Sequence, residues 1–521
     1  MNNNLKKTIR NHSFITTLVV VAIVVVINIL AVQIFYRFDL TQHKDYSLSS
    51  ASEQVLKNLE DDLTINVYFS EKLPPEYLNM RQGVEDLLAE YQNYSGGKLQ
   101  VNYIDPKDDA DLKEQLTVKG IPELQFNVLE KDQFQLTNGF LGIAVDYLDK
   151  EEVLPVVETT NNFEYKLTSA IKKVMNQNSV KIAWTKSGTE STQTYKEALK
   201  QLRENYEVAE VDLTAGKLLD SSYQILVVTN PEKELDDVGR YIIDQFLMSD
   251  KSIFFLVDGV KVDKYLQPQE NKTGLNDLLI NYGLTLSNKL VLDTSSDMAT
   301  FSGGYMNFMV QYPYWIKVTK DDFAQDNPAV NQLESITLPW ASNIDVSQEK
   351  IGSNQLQYLA KSSAKSWLAK EPISLDPQQK FSADNYNQYN LAVSELGHFA
   401  SYFQDKDNPL ADKSVEKISS TDNGRIVLIG DADFLSDSFL AQYPTNSVFF
   451  ANMLDWLSQD ESLISIRSKG VTDRPLKQLS DRQKTAIKYT NIFGITGIIL
   501  IVGLVRFILR KKKFRKIKFK L

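Results

Sequence analysis

The sequence predicts an α/β body held between two transmembrane helices. Three observations lead to this prediction. Long uncharged apolar runs lie near both ends of the 521-residue chain. Between them, apolar runs of strand length alternate with amphipathic runs of helix length. Basic residues flank the two long runs, whereas the part between them is acidic enough to give the whole chain a net charge of −10.

The first long apolar run, Phe14–Tyr36, contains no charged residue. A helix of about 20 apolar residues crosses the hydrocarbon core of a bilayer. The run ends in bulky residues, whereas small residues precede the cleavage site of a signal peptide. We therefore expect an uncleaved membrane anchor after a cytoplasmic segment of residues 1–13.

The second run, Tyr489–Leu509, is interrupted only by Arg506 and leads directly into a basic tail, residues 510–521. Basic residues next to a membrane span favour the cytoplasmic side. Because basic residues also precede the first run, we expect both termini in the cytoplasm and the bulk of the chain outside it, at the cell membrane. The tail is expected to contact anionic membrane lipid, and no nucleic-acid partner is predicted.

Residues 37–155 are predicted to form a first domain. It begins with Ser50-x-x-Glu53, a capping box that opens a short helix. The later order, strand, helix, strand, helix and two strands, is typical of a thioredoxin-like domain. The chain has no cysteine, so thiol redox chemistry is excluded. The predicted elements are strands Leu63–Phe69, Lys98–Ile104, Leu124–Glu130 and Gly139–Tyr147, and helices Val84–Tyr94 and Ala110–Val118.

Residues 162–468 are predicted to form a second domain, a flavodoxin-like parallel sheet with helices on both faces. An insertion, about residues 260–423, interrupts it. Within the insertion only Tyr389–Leu396 stands out as a strand, and the aromatic run Tyr312–Val318 is expected to pack the insertion onto the sheet. The predicted elements are helices Phe163–Asn176, Leu235–Met248, Ser447–Gln459 and one containing Tyr195, Leu199 and Leu202, and strands Val180–Thr185, Tyr206–Leu213, Tyr223–Asn230, Ser252–Gly259 and Arg425–Ile429.

Several kinds of chemistry are excluded or disfavoured by what the sequence lacks. It contains no phosphate-binding loop, dinucleotide fingerprint, zinc-protease motif or nucleophile elbow. Its three histidines, His12, His43 and His398, are far apart, which disfavours a catalytic triad or a histidine-rich metal site. No cofactor, no metal and no catalytic residue are therefore predicted.

Two segments are candidates for ligand binding. The loop with Ser187, Gly188, Thr189 and Glu190 follows a predicted strand and precedes a helix, where backbone N–H groups can bind an anion. The alternative is that these residues only cap the helix and close the turn.

The second candidate is the pair Asp431 and Asp433, in the stretch GRIVLIGDADFLSD. Acidic residues after a buried strand lie where open α/β folds bind their ligands. The two carboxyl groups could act as acid and base or hold a hard cation. The alternative is that they bond to local backbone after the strand.

Five segments together resemble the GldG family, auxiliary components of bacterial ABC-type transport systems. They are FDLTQHKDYSLS, YFSEKLPPEY, YIDP, LVLDTSSD and the closing GRIVLIGDADFLSD with the helix that follows it. The resemblance spans almost the whole chain. It implies an extracytoplasmic, non-catalytic subunit that works with a separate ABC permease and a cytoplasmic ABC ATPase.

The resemblance also implies that the second domain is amidotransferase-like and serves assembly. Family members often carry a Gly-His-Gly-Glu loop after its first strand, but here the loop reads Ser187-Gly188-Thr189-Glu190. The missing histidine argues against metal or acid–base chemistry in this loop. The function predicted first is an auxiliary subunit that gates or captures cargo above the permease. An envelope hydrolase acting on glycan or peptide, or a surface binding module, is the alternative.

Overall fold

The computed structural model describes the chain in segments. These are residues 47–107, 109–130, 133–160, 162–175, 180–186, 194–231, 233–263, 265–302, 307–414, 416–458, 463–469, 482, 485–493 and 503–508. The chain divides into two compact units, Met1–Thr472 and Asp473–Leu521. In the described segments, no helix combines the length and the apolar character that a membrane span requires. The predicted span Phe14–Tyr36 lies outside these segments, and of Tyr489–Leu509 only residues 489–493 and 503–508 belong to them, both helical.

The first part of the chain forms a four-stranded mixed sheet in the order β2-β1-β5-β6. Strands β1 and β2 are parallel, whereas β5 is antiparallel to both β1 and β6. The helices pack their apolar sides on this sheet and enclose a core with Ile65, Leu88 and Ile171. The elements are α1 (Ser50–Lys57), β1 (Leu63–Phe69), α2 (Pro75–Tyr94), β2 (Leu99–Ile104), α3 (Ala110–Val118), β3 (Leu124–Glu130), β4 (Gln133–Gly139), β5 (Leu141–Tyr147), β6 (Lys150–Leu154) and α4 (Phe163–Val174).

Three sequence predictions for this part differ from the structure. Helix α4, predicted to open the second domain, packs instead on the first sheet, since Phe163, Leu167 and Ile171 belong to its core. Strand β3 does not join the sheet, because it pairs with β4 as a separate antiparallel hairpin, and β6 takes the outer place next to β5.

The predicted capping box Ser50-x-x-Glu53 does not form, because the helix begins one residue earlier. Ser49, not Ser50, is the N-cap of α1, and its hydroxyl oxygen accepts a hydrogen bond from the Ser52 backbone N–H at 3.2 Å.

The second part is built on a seven-stranded sheet. The strands lie in the order β18 (Gln355–Lys361), β20 (Asn390–Ala400), β21 (Ser420–Ile429), β10 (Ser252–Leu256), β9 (Ile225–Thr229), β7 (Lys181–Thr185) and β8 (Glu207–Val211). Its central strands are almost entirely apolar and buried, as expected for a sheet covered on both faces. Its elements outside the insertion are β7 (Lys181–Thr185), α5 (Lys196–Arg203), β8 (Glu207–Val211), β9 (Ile225–Thr229), α6 (Asp237–Met248), β10 (Ser252–Leu256), β21 (Ser420–Ile429), α9 (Asp437–Gln442), α10 (Thr445–Leu457) and α11 (Ile464–Lys469).

The predicted parallel sheet is only partly parallel. Strands β21, β10, β9, β7 and β8 run in one direction. The insertion adds β20, which is antiparallel to β21, and β18, which is antiparallel to β20. The sequence showed only β20, because β18 is a half-exposed edge strand with polar residues such as Gln355 and Gln357.

The insertion contains far more strand structure than its sequence indicated. Its many Asn, Gln and Ser residues mask the alternation of apolar and polar positions that predicts strands. Its remaining elements are β11 (Val260–Val262), β12 (Pro268–Glu270), α7 (Asn276–Asn281), β13 (Leu284–Asp293), β14 (Ser296–Ser302), β15 (Asn307–Thr319), β16 (Ser335–Pro339), β17 (Ser342–Val346), α8 (Gln348–Ile351), β18 (Gln355–Lys361), β19 (Ser366–Leu368) and β20 (Asn390–Ala400).

The run Tyr312–Val318 in β15 is divided between two cores, so it packs the insertion onto the sheet only in part. Tyr312 and Tyr314 lie in a core within the insertion, and their hydroxyl groups donate to the carbonyl oxygens of Leu375 and Ser374. Ile316 belongs instead to the core under the main sheet, together with residues of α10. One strand therefore contributes to both cores.

A buried polar group, which we call the Arg467 cluster, connects α4 of the first part to α10 of the second. Arg467 on α11 forms an ion pair with Asp455 at 2.7 Å, and its guanidinium also donates to Tyr165 and, at 3.0 Å, to Asn452. The Tyr206 hydroxyl donates to Asp455 from the start of β8. Arg467 and Asp455 are 5% and 3% exposed.

Candidate functional site

The candidate site lies at one edge of the main sheet, where three parallel strands end. Strand β10 stands between β9 and β21, with Leu256 aligned with both Thr229 and Ile429. The next residues along these strands therefore meet at the same edge. They are Asn230 after β9, Asp258 after β10, and Asp431 with Asp433 after β21.

Three carboxyl groups converge at this edge. Asp258, Asp431 and Asp433 each offer a carboxylate oxygen, and these three atoms lie within 4.8 Å of one another. We call this group the Asp258 cluster. Asp258 is 6% exposed and Asp431 is completely buried, whereas Asp433 is partly buried in the short 3₁₀ helix Asp433–Leu435.

Asp258 is held in place by several hydrogen bonds. Its carboxylate accepts from the Ala432 backbone N–H at 2.5 Å and from the Asn230 side-chain amide. In return, the Asp258 backbone N–H donates to Asn230 Oδ1 at 2.9 Å, and Asn271 donates to the Asp258 carbonyl oxygen at 2.8 Å. The Asp258 carboxylate is therefore rigidly oriented.

Asp431 has fewer partners. Its Oδ1 atom accepts a hydrogen bond from the Phe434 backbone N–H at 3.2 Å. Its Oδ2 atom is buried and has no hydrogen-bond partner among the residues that the structure describes. Leaving a buried carboxylate oxygen without a donor is costly.

Burial raises the pKa of all three carboxyl groups, and repulsion by acidic neighbours raises the pKa of Asp431 and Asp433 further. Burial raises the pKa of Asp258 to about 6, partly offset by the hydrogen bonds from Ala432 and Asn230. Burial also holds the pKa of Asp431 well above its usual value, and the nearby Asp258 and Asp433 raise it further. The pKa of Asp433 is likewise raised by burial and by Asp258, while Lys261 lowers it. The cluster therefore requires neutralisation, either by protons or by a cation.

Two glycines let the insertion approach the cluster closely. A Cβ atom on Gly259 would lie 1.9 Å from the Ser287 carbonyl oxygen, and one on Gly430 would lie 2.3 Å from that of Ser342. The Ser342 backbone N–H also donates to the Gly430 carbonyl oxygen at 2.8 Å. Strands β13 and β17 of the insertion thus cover the residues next to Asp258 and Asp431.

Tyr195 covers the cluster from another side. It precedes α5, is 5% exposed, and donates its hydroxyl to the Ala432 carbonyl oxygen at 3.2 Å. Burial and the three carboxyl groups hold its pKa well above the usual value. A second contact lies nearby and joins α5 to α9. The Glu197 backbone N–H donates to the Asp437 carboxylate at 2.9 Å.

The predicted site residues have different outcomes. Asp431 and Asp433 do lie together at the carboxyl edge of the sheet. The loop with Ser187, Gly188, Thr189 and Glu190 lies outside the described residues, so its binding role stays a prediction. Asp258 was missed, although its strand ends in the same way as the closing strand, with an apolar run followed by an acidic residue.

His398 lies at the opposite end of the sheet from the cluster. It is exposed on β20 and bonds through Nδ1 to the Asp422 carboxylate at 2.7 Å, near the start of β21. The Asp258 cluster follows the end of β21. His398 is therefore not placed to exchange protons with Asp431 or Asp433.

Comparison with known proteins finds a similar protein sequence and several solved structures with weak similarity. An uncharacterized protein of Borreliella burgdorferi is 26% identical over 503 residues, covering 92% of this chain and 94% of its own length. Among solved structures, the mmIFT52 N-terminal domain is 14% identical and covers 53% of this chain and 97% of its own, with a TM-score of 0.33. A glutamine amidotransferase of Thermotoga maritima is 8% identical and covers 54% and 99%, with a TM-score of 0.25. At these scores the two structures carry no conclusion about fold or function.

Two family models match the chain. Residues 42–146 match a domain of unknown function. Residues 179–459, more than half of the chain, match the family described as ABC-type uncharacterized transport system. The second match includes the whole seven-stranded sheet, the insertion and the Asp258 cluster. The chain therefore belongs to this family of ABC-type transport systems.

Proposed function

We propose that the protein is a non-catalytic, membrane-anchored auxiliary subunit of an ABC transporter, which gates or captures cargo with a separate permease and ATPase. The family match over residues 179–459 carries this proposal. The chain has no phosphate-binding loop, so ATP hydrolysis requires another subunit. The narrower resemblance to the GldG family supports the same assignment.

The anchoring part of the proposal is supported by hydropathy and charge. Phe14–Tyr36 and Tyr489–Leu509 are long apolar runs with basic residues beside them, a pattern that favours cytoplasmic termini. On this topology the acidic body lies outside the cytoplasm. An acidic surface is repelled by anionic lipid headgroups, so the body would stand clear of the membrane surface.

The absence of cysteine makes the topology simple to test. A cysteine is introduced in the full-length chain at Glu270, which is exposed, or at Lys516 in the tail. Intact cells are then treated with a membrane-impermeant maleimide. We expect labelling only at position 270, with labelling at 516 after the membrane is permeabilised. Equal labelling at both positions in intact cells would contradict the proposed topology.

Partner subunits are tested by purifying the tagged full-length chain from its own membranes in a mild detergent. We expect an ABC ATPase and a permease to co-purify, and mass spectrometry identifies them. A different two-span protein from the same membranes, tagged in the same way, is the control. Recovery of the chain without any transporter subunit, even after crosslinking in cells, would refute the proposal.

The geometry of the Asp258 cluster disfavours the alternative of a glycan hydrolase. Glycosidases place two carboxyl groups about 5 to 9.5 Å apart, on either side of an accessible sugar. Here the oxygens of Asp258, Asp431 and Asp433 lie within 4.8 Å of one another, and Asp431 is completely buried. A substrate therefore has no access to the central carboxyl group.

A further inference from the structure

We propose that the Asp258 cluster is a binding site for a hard divalent cation of the Ca²⁺ or Mg²⁺ type. Asp258, Asp431 and Asp433 would each supply one carboxylate oxygen. This site does not depend on the proposed transport function. It requires only the geometry at the carboxyl edge of the sheet.

The position of the three ligands supports the proposal. Asp258 and Asp431 follow adjacent parallel strands, and Asp433 begins the helical turn that follows. One oxygen of each lies within 4.8 Å of the others. A cation that contacts oxygens at about 2.0 to 2.6 Å can bridge atoms at this separation.

The unpartnered oxygen of Asp431 is a second observation. Other buried aspartates are supplied with donors, and Asp293 is an example. Asp293, also completely buried, accepts hydrogen bonds from the Ser295 N–H at 2.8 Å and from the Ser363 N–H and hydroxyl, each at 2.6 Å. Asp431 is equally buried, yet its Oδ2 has no donor among the described residues. A bound cation would supply the missing partner.

The type of ligand selects the type of cation. Carboxylate oxygens prefer hard cations, whereas zinc and copper sites usually include histidine or cysteine. The chain has no cysteine, and His398 lies at the other end of the sheet. Ca²⁺ and Mg²⁺ also retain water in positions that the protein does not fill, so three carboxylates are enough to hold the ion.

Protons are the competing explanation, because they too would neutralise three close carboxyl groups. Lys261 is a further positive neighbour, but it is exposed. The two explanations differ in one measurable respect. A cation site makes the stability of the protein depend on Ca²⁺ or Mg²⁺ at constant pH, and a protonated cluster does not.

The test uses the full-length chain in detergent at neutral pH, with EDTA or with Ca²⁺, Mg²⁺ or Mn²⁺ up to about 10 mM, which covers the dissociation constants of about 0.1 to 1 mM found in extracellular calcium modules. We expect Ca²⁺ or Mg²⁺ to raise the melting temperature by about 2 to 4 °C relative to EDTA. No response to any of these ions would overturn the proposal.

Single substitutions assign the response to the cluster. In Asp258→Asn, Asp431→Asn and Asp433→Asn, the cation concentration at half-maximal response should increase about 10-fold or more. Asp437→Asn is the matched control, because it removes one charge from the same segment outside the cluster, and it should respond like the wild type. Equal responses in all four variants would overturn the proposal. An Asp431→Asn variant that is more stable than the wild type by the same amount in EDTA and in cation would also overturn it.

A measurement on the unaltered chain covers the case in which the variants do not fold. Tb³⁺ replaces Ca²⁺ in oxygen sites, and Tyr195, whose hydroxyl lies 3.2 Å from the Ala432 carbonyl oxygen, is placed to sensitise its luminescence. We expect tyrosine-sensitised Tb³⁺ emission that Ca²⁺ or Mg²⁺ displaces. Absence of such displaceable emission would contradict the site.

Discussion

Asp244 and Asp431 are both completely buried in the same domain, but the protein treats them in opposite ways. Asp244 on α6 accepts hydrogen bonds from Ser401 at 2.6 Å, from the Tyr402 N–H and the Tyr282 hydroxyl at 2.8 Å, and from Gln245 at 2.9 Å. Asp431 accepts a hydrogen bond from the Phe434 N–H, but it has two acidic neighbours and its Oδ2 has no hydrogen-bond partner among the described residues. The comparison indicates that burial alone does not mark a binding site. The Asp258 cluster differs because three carboxyl groups converge there and one of their buried oxygens lacks a donor.

The Arg467 cluster extends this comparison, because there a buried aspartate is neutralised by a buried arginine. Arg467→Met should lower the free energy of unfolding by about 3 to 5 kcal/mol, since it leaves Asp455 buried without its cation. Chemical denaturation measures this. The double variant with Asp455→Leu serves as the control and should recover much of the loss. A loss below about 1 kcal/mol in the single variant would show that Asp455 does not need its partner.

Asp244→Asn tests a carboxylate that the protein supplies with donors. The amide turns an N–H group toward donors that need an acceptor, so the free energy of unfolding should fall by about 1.5 to 3 kcal/mol. Asp236→Asn at the start of the same helix is the matched control. Its amide oxygen can still accept from the Gly239 N–H, so it should change little. Equal losses of unfolding free energy in the two variants would show that the donors around Asp244 give it no special importance.

Glu395→Gln tests a buried carboxylate that lacks sufficient donors. Glu395 on β20 is 1% exposed, accepts one bond from Asn354 at 2.7 Å, and has no partner for Oε2 among the described residues. Burial raises its pKa from 4.5 to about 7. The folded state therefore holds this proton more tightly than the unfolded state, and the resulting stability is present below pH 4.5 and lost as the pH rises through about 7.

At mildly alkaline pH, Glu395→Gln should therefore raise the free energy of unfolding by about 1 to 3 kcal/mol, because one pKa unit corresponds to about 1.4 kcal/mol. Below pH 4.5 the variant and the wild type should be nearly equal. Denaturation at several pH values measures this difference. Glu270→Gln, on the exposed strand β12, is the control and should follow the wild type. A destabilised Glu395→Gln at alkaline pH would mean that the structure satisfies this carboxylate after all.

The smallest effect is expected at an exposed ion pair. Lys370 and Asp384 lie 2.8 Å apart, with side chains 59% and 74% exposed. Lys370→Met should change the free energy of unfolding by less than about 1 kcal/mol. The change should also shrink at high salt concentration, which screens exposed charges. A larger loss would show that short distance, without burial, is enough to make an ion pair important in this fold.

Much of the local structure could be predicted from the sequence. Strand β1, helix α3 and strand β3 agree with their predicted bounds, because each is a regular apolar pattern between polar turns. The pairing of β3 with β4 could not be predicted in this way. Only two residues separate these strands, so the pairing is local, but β4 reads QFQLTNG and its polar residues hide the strand pattern.

The Asp258 cluster was only partly predictable, because it depends on the pairing of strands that are distant in the sequence. Asp431 and Asp433 are close in the sequence and were identified together. Asp258 joins them only because β21 pairs with β10 across the whole insertion. The burial of Asp431, which excludes it from contact with a substrate, depends on strands of the insertion that the sequence did not indicate.

The pairing of β10 with β21 has a consequence for how the protein is made. Residues 257–419 separate these strands, so a ribosome must synthesise the entire insertion before Asp431 and Asp433 exist. The entropy of closing so long a loop grows only slowly with its length, but the search for such distant contacts slows folding. We therefore expect the Asp258 cluster to be among the last parts of the domain to assemble. A chain truncated before β21 would expose the open edge of β10, a surface that invites aggregation.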